Sequence, residues 1–461
     1  MALGSNNDLE LHLARRSLLI VAIITPLLLA LVGFTLKQIG VPQWPQRLRE
    51  TVARGTILAG DGTILAEGQA EQRRYPLGPL AAHLVGFSGA LQPDGRFGLE
   101  GLEYALDDQL QAGRAVQLTI DPTLQAAAQA HLEQAATEQQ AESGAVVILE
   151  AGSGRILAAA SYPDFDPNNQ AKVDDRDALI NRAFLQQYEP GSVMKPFVIA
   201  ALLESGRLSP DEVIPAVMSI RVGDKVFHDV AQHGPELPIP DILRYSSNVG
   251  MITLTTRFKP EELYSWLRYF GFGQPLELEG GFTRSGQLNP WQSWVPQDQA
   301  SVTIGQSVSV TALQLAAAYS IFANNGLYIQ PYLIEGDSTV TPRRILSPEV
   351  AQAIRSMLIH TVEASGLRHS KIPDVSVAGK TGTADVFNRQ VGAYVKGDFT
   401  LSFAGMFPAE TPRVTMVVYL QKPKIGKSST YVAAPLFRAI GSEVVALWGV
   451  PPQPSPVAKR P

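Results

Sequence analysis

One stretch of the chain is apolar without interruption; elsewhere apolar residues recur with the periods of strands and helices. Ser17–Leu36 runs twenty residues without a charge, about the length that crosses the hydrocarbon core as a helix. Arg15 and Arg16 precede it and only Lys37 follows closely. The positive-inside rule then predicts a cytoplasmic N-terminus (1–16), a single signal-anchor helix (17–37) in the cell membrane, and an extracytoplasmic remainder. Pro26 falls mid-segment, where spanning helices tolerate it. A cleaved signal peptide would have a shorter apolar core and a small-residue cleavage site, and Gly33-Phe34-Thr35 is a poor one.

After the anchor, residues 38–115 are short elements rich in Gly, Pro and Gln, which reads as a small stem domain. From Val116 the pattern lengthens, and residues 116–450 read as one larger domain. Val116–Ile120 alternates like a strand. Asp121-Pro122 then opens a helix over Thr123–Gln140, with Asp at the N-cap and Pro at the first helical position. Ala145–Glu150 and Arg155–Ala160 read as a hairpin joined by Ala151-Gly152-Ser153-Gly154. Three more buried strands come over two hundred residues later: Val375–Thr383, Thr400–Met406 and Val414–Leu420. Mainly helical stretches lie between, such as Thr311–Ala323, and a last helix covers about Tyr431–Leu447. The layout predicts a mostly antiparallel sheet assembled from both ends of the domain around a helical insert. Pro451–Pro461 reads as a disordered Pro-rich tail.

Composition narrows the chemistry. The chain has no cysteine, which excludes disulfides, thiolate catalysis and cysteine-based zinc sites. A net charge of −5 gives no reason to expect a nucleic-acid partner. The seven histidines are scattered, with no metal-ligand pair at helical spacing, so no metal or cofactor is expected. His228 and His233, the closest couple, read as exposed loop residues.

Three short motifs carry the candidate chemistry. Ser192-Val193-Met194-Lys195 follows the turn Glu189-Pro190-Gly191 and starts an apolar run, Phe197–Leu203, that reads as a fully buried helix. Lys195 then lies one turn from Ser192 on the same face. Burial disfavours the ammonium form, and a second cation lowers its pKa further; a neutral lysine can take the serine proton. S-x-x-K arises often by chance, but this is its one occurrence here. Ser246-Ser247-Asn248 can point a hydroxyl and a carboxamide into one cleft. Lys380-Thr381-Gly382-Thr383 reads as the end of a strand whose edge can take a peptide as an added strand. The backbone N–H groups of Ser192 and Thr383 can form an oxyanion hole.

The triplet resembles the serine–lysine sites of penicillin-binding proteins and class A β-lactamases. Beyond it, the chain resembles a class B penicillin-binding protein from about Arg54 to Leu447. Arg54-Gly55-Thr56-Ile57 and Asp61–Ala66 resemble the family's opening box. Tyr75–Gly78, Ala82–Gly86 and Gly98-Leu99-Glu100 resemble its stem motifs. Tyr162–Asn168, Gly305-Gln306 with Thr311–Ala316, Phe403-Ala404-Gly405 and Ala433–Phe437 fit the domain that follows. The resemblance implies an α+β transpeptidase fold: a five-stranded antiparallel sheet flanked by helices, with a helical subdomain. It implies a D,D-transpeptidase of peptidoglycan synthesis, in division or elongation, with Ser192 as nucleophile, Lys195 as base and Ser246 as proton shuttle. Asn248 would hold the substrate amide, and Lys380, Thr381, Gly382 and Thr383 its terminal carboxylate. The partners it implies are stem peptides, β-lactams and a membrane-embedded glycan polymerase. Departures are Ala59-Gly60 where the opening box carries an acidic–basic pair, a short stem, Ala312 for a usual Pro, and Ser307 for a usual Gly.

A β-lactamase would need fast deacylation. Class A enzymes use a glutamate near a Leu-Asn pair, and the nearest candidate, Ser285-Gly286-Gln287-Leu288-Asn289, has Ser where Glu is needed. Class D enzymes carry a hydrophobic residue at the position of Asn248. A β-lactam sensor usually has several spans. A bifunctional glycosyltransferase would need a further domain before Val116.

Overall fold

The computed structural model describes Thr25 and residues 53–173, 175–336, 341–364, 367–388 and 392–449. The expected anchor, apart from Thr25, and the Pro-rich tail lie outside these residues. No helix among the described residues is long and apolar enough to cross a membrane.

Five strands make the central sheet: β1 (Ser143–Glu150), β2 (Ile156–Tyr162), β3 (Ala378–Asn388), β4 (Ala393–Phe407) and β5 (Val414–Gln421). Their order is β3-β4-β5-β1-β2, with every pair antiparallel. The sheet is thus assembled from both ends of the domain, as the pattern predicts, and β3 is an edge. Side chains alternate across it. Val147, Leu149, Val417 and Tyr419 join one buried cluster, and Val146, Ile148, Met416 and Val418 join the other.

Helices cover both faces. On the second cluster's face lie α1 (Pro122–Gln139) and α5 (Ala433–Trp448). Asp121 caps α1 by accepting the backbone N–H groups of Thr123 and Leu124. On the other face lie α2 (Lys195–Glu204), α3 (Asn248–Thr255) and α4 (Ala312–Ala323). Every residue of α2 but Glu204 is buried, as a helix apolar on all sides must be. Phe197 sits among the rings of Phe270, Phe272, Tyr319 and Phe322, with centroids 5.0–5.3 Å away. Burying a side chain of this size contributes roughly 1.5–3 kcal/mol. The start of α2 therefore has a fixed base.

Three expected strands differ in extent, and the one expected over Thr400–Met406 runs over Ala393–Phe407. Val116–Ile120 pairs as a strand only at Val116–Gln117, parallel to Ile57–Leu58; Leu118 makes an isolated bridge to Ile334. The strand expected over Val375–Thr383 starts at Ala378 and continues to Asn388. Lys380–Thr383 thus lies near its beginning, not its end. The extra length comes from a hairpin: Asp385 pairs with Phe399 and Phe387 with Tyr394, past a register shift. Such pairing between two half-exposed segments leaves little trace in hydropathy.

Among residues 53–115 the chain folds around a buried ionic knot. Glu103 is fully buried and accepts Nε of Arg54 and Nε of Arg73, each at 2.6 Å. Arg54 also pairs with Asp107 at 2.7 Å, and Arg73 donates to the Gly55 carbonyl at 2.7 Å. These residues fall in or beside the motifs from which the family resemblance was drawn. Charges are buried here only because each is paired.

Candidate active site

The nucleophile turn is a 3₁₀ turn, Gly191–Met194, running straight into α2. It is clamped from two sides. Tyr319 of α4 donates its hydroxyl to the Val193 carbonyl at 2.9 Å, and Gly191 donates its N–H to the Gly305 carbonyl at 2.9 Å. Gly191 has φ +62 and lies flat on the edge strand: a Cβ there would stand 2.5 Å from the Thr383 carbonyl oxygen. A Cβ on Gly382 would stand 2.5 Å from the Pro190 carbonyl oxygen. The two glycines let nucleophile turn and strand edge share one plane of contact, which sets the backbones of Ser192 and Thr383 side by side.

Lys195 is fully buried. Its Nζ donates to the Ser246 carbonyl (2.5 Å) and to Asn248 Oδ1 (2.8 Å) and lies 3.1 Å from Ser246 Oγ, whose hydroxyl can donate to the neutral amine. Lys380, 1% exposed, donates from the opposite side to the same Ser246 Oγ at 3.1 Å. One hydroxyl thus bridges two lysines. Burial, then the charge of Lys380, holds the Lys195 pKa well below the ordinary lysine value, while Asp229 pulls the other way. Burial brings Lys380 down to about 7.

Ser246 holds this position at φ +57, a left-handed conformation that costs a non-glycine residue of order 1–3 kcal/mol and collects at functional sites. Ser247, between the two motif side chains, is fully buried and caps α3 on the Gly250 N–H at 2.8 Å. The motif therefore alternates: Ser246 and Asn248 face the cleft and Ser247 faces the core. Asn248 also donates Nδ2 to the His228 carbonyl at 2.9 Å.

On β3, Thr383 Oγ1 meets Ser429 Oγ at 2.8 Å. Ser429 spends its one proton on the Gly382 carbonyl, so Thr383 is the donor in that contact. An incoming carboxylate would have to draw the Thr383 proton away from Ser429.

Ser192, Ser246, Asn248, Lys380, Thr381 and Thr383 all line one cleft of about 680 Å³. Lys195 lies beneath it, and Gly382 packs under the nucleophile turn. All eight motif residues are thus brought together. No aspartate or glutamate is among the described residues that line the cleft, and Ser285 and Asn289 are not among them either. Among the described residues no group of His, Asp or Glu is arranged to hold a metal ion.

Three neighbours escaped sequence reasoning: Tyr319, Ser429 and Asp229. Their roles rest on contacts across 18 to 126 residues of chain, which no local pattern signals. His233 is a correction. Its side chain is 1% exposed, not an exposed loop group, because Nε2 is drawn onto the buried Asp229 at 2.7 Å. His228 is exposed as expected. Ser307, where the resemblance expects glycine, stands at φ +58, which accounts for the usual preference.

If the flush contact between Gly191 and Thr383 aligns the site, Gly191→Ala should slow acylation of Ser192 by about a hundredfold or more, since a displacement near 1 Å can cost that much. Stopped-flow acylation beside circular dichroism would check it; a wild-type rate in the folded variant would refute the alignment.

Comparison with known proteins agrees with this geometry. The family model described as the penicillin binding protein transpeptidase domain matches residues 144–442. Penicillin-binding protein PbpB of Mycolicibacterium smegmatis is 33% identical over 432 residues, covering 83% of this chain and 66% of that protein. Probable peptidoglycan D,D-transpeptidase PenA of Neisseria gonorrhoeae is 31% identical over 415 residues, covering 83% of this chain and 69% of that protein. The chain thus spans about two thirds of the length of these relatives. The crystal structure of penicillin binding protein 3 from Mycobacterium tuberculosis, complexed with ampicillin, superposes with a TM-score of 0.79 at 33% identity, covering 88% of this chain and 97% of that one.

Proposed function

The chain belongs to the class B penicillin-binding proteins, and from that premise we propose that it is a peptidoglycan D,D-transpeptidase acting through an acyl-enzyme on Ser192. The observation that carries the reading is the buried Lys195, its pKa held well below the ordinary lysine value beside Ser246 and Lys380. A lysine whose ammonium form is disfavoured in this way is suited to act as a general base.

Lys195 takes the Ser192 proton as Oγ bonds to the carbonyl carbon of the penultimate D-Ala. The oxyanion is met by the backbone N–H groups of Ser192 and Thr383. The bond to the terminal D-Ala breaks, and its amine leaves with a proton delivered from Lys195 through Ser246. An amine of a neighbouring stem peptide then attacks the ester. It gives up a proton by the same route, and Ser192 Oγ is released with its proton restored. Asn248 holds the donor amide; Lys380, Thr381 and Thr383 hold the terminal carboxylate, with Gly382 keeping the strand edge open.

β-Lactams enter the same path, but their leaving amine stays tethered to the acyl group. No acidic side chain of the kind that class A β-lactamases use to activate a water lines the cleft among the described residues. The β-lactamase reading therefore loses to the transpeptidase.

The twenty-residue apolar run and its flanking arginines support a single-pass anchor with the catalytic domain outside the cell membrane. The Gly- and Pro-rich residues 38–115 then form a stem between membrane and transpeptidase domain. A membrane-embedded glycan polymerase is the partner that would supply uncross-linked strands.

Wild-type protein incubated with penicillin should gain a stoichiometric adduct that persists for hours by intact-protein mass spectrometry. Ser192→Ala should gain none, and Lys195→Ala should acylate roughly 10²–10⁴-fold more slowly. Rapid turnover to penicilloate would contradict the reading. For the anchor, the full chain should stay with membranes through an alkaline wash and bring a polymerase with it on detergent extraction; release of the chain by the wash would contradict it.

A further inference from the structure

The loop ahead of the second motif carries a carboxylate that the acyl-transfer steps do not use. Asp229 has a side chain only 1% exposed, and both its oxygens are spent on the turn that follows. Oδ1 accepts the backbone N–H groups of Asn248 (2.5 Å) and Val249 (3.0 Å). Oδ2 accepts the Ser247 hydroxyl (2.5 Å) and His233 Nε2 (2.7 Å). The first turn of α3 is thus held by a carboxylate at its positive end, in addition to the Ser247 cap.

His233 completes the arrangement. Its Nε2 faces Asp229 and its Nδ1 faces the Gly234 carbonyl at 2.7 Å. A ring set between two acceptors satisfies both only as the imidazolium, which donates from both nitrogens. Burial works against that charge, yet the bonds to Gly234 and Asp229 hold the pKa above the ordinary histidine value. The ring also packs against Tyr245, centroids 5.6 Å apart, and Tyr245 lines the cleft. Asp229 and His233 therefore form a buried pair with little net charge.

We propose that Asp229 and His233 are positioning residues that lock the strained Ser246–Asn248 turn against Lys195, so that acylation at Ser192 depends on a pair that does not itself touch substrate. The proposal rests on the acyl-transfer reading of Ser192. The lock is geometric, because Asn248 takes its backbone bond from Asp229 and gives its side-chain oxygen to Lys195. It is also electrostatic. The charged groups acting on Lys195 are Lys380 from β3 and Asp229 from this loop, with the polar Ser246 and Asn248 between them. Asp229 favours the ammonium form, and His233 offsets part of that pull.

The two partners therefore predict opposite shifts. The acid limb of acylation follows the Lys195 pKa, because only the neutral amine takes the serine proton. Asp229→Asn keeps the shape but removes the charge that favours the ammonium, so the acid limb should move to lower pH. It also mismatches Oδ2 against two donors, so the plateau rate should fall roughly tenfold or more, as loss of charge-assisted hydrogen bonds does. His233→Gln keeps a donor for Asp229 and removes the cation, so the acid limb should move to higher pH.

The test is stopped-flow acylation by a fluorescent penicillin across pH, on the full chain in detergent, with thermal unfolding measured on the same samples. Opposite displacements of the two acid limbs support the proposal. If both variants lose thermal stability while their acid limbs stay at the wild-type position, the pair is structural only and the proposal fails; wild-type rates and limbs in both variants overturn it as well. Should Asp229→Asn not fold, the upward shift in His233→Gln decides. A wild-type chain that takes no penicillin would instead overturn the reading of Ser192 on which the proposal depends.

Discussion

Two lysine side chains are buried around one hydroxyl, and that crowding governs the site. Lys195 and Lys380 each lie 3.1 Å from Ser246 Oγ. Two unit charges no more than about 6 Å apart repel by at least roughly 3 kcal/mol at an effective dielectric near 20, and burial adds its own penalty to each. Both ammonium groups cannot be retained at ordinary lysine pKa values. Burial and the charge of Lys380 together hold the Lys195 pKa well below the ordinary lysine value. The fold thus makes a base out of lysine by enclosing two of them and leaving one serine to connect them.

Much of the architecture reads as support for that enclosure. The aromatic ring of neighbours around Phe197 fixes α2, so Lys195 cannot swing out to water. The five-stranded sheet delivers Lys380 on its edge strand, and a strand edge serves the donor peptide and the lysine together. Gly191 and Gly382 remove the side chains that would hold nucleophile turn and strand apart. Ser246 completes the centre only in a left-handed conformation, and Asp229 with its histidine holds the turn that imposes it. The supports come from three parts of the chain: the region before α2, the helical insert and the late strands.

How far the sequence carried depended on whether a feature was local. The helix buried on all sides was legible because Phe197–Leu203 has no polar interruption. The cap at Asp121 was legible because a helix start writes itself in adjacent residues. The eight motif residues were legible because their order and local contexts agreed. The true reach of the edge strand was not, since Ala384–Asn388 pairs with half-exposed residues across a hairpin. His233 read as a surface residue because its partner, Asp229, is itself buried only by the turn that follows. Ser429 and Tyr319 act over 46 and 126 residues, and serine and tyrosine in apolar surroundings carry no mark of such a duty.

The central claim is that burial together with Lys380 disfavours the ammonium form of Lys195. Its most direct test is a titration of the two side chains by NMR, using lysine labelled with ¹³C at the ε carbon and assigned by single replacement of each residue. The account predicts that both titrate below the ordinary lysine range, and that Lys195 moves upward when Lys380→Met removes its neighbour's charge. Titration of Lys195 near the ordinary lysine value, or indifference to the loss of Lys380, would contradict it.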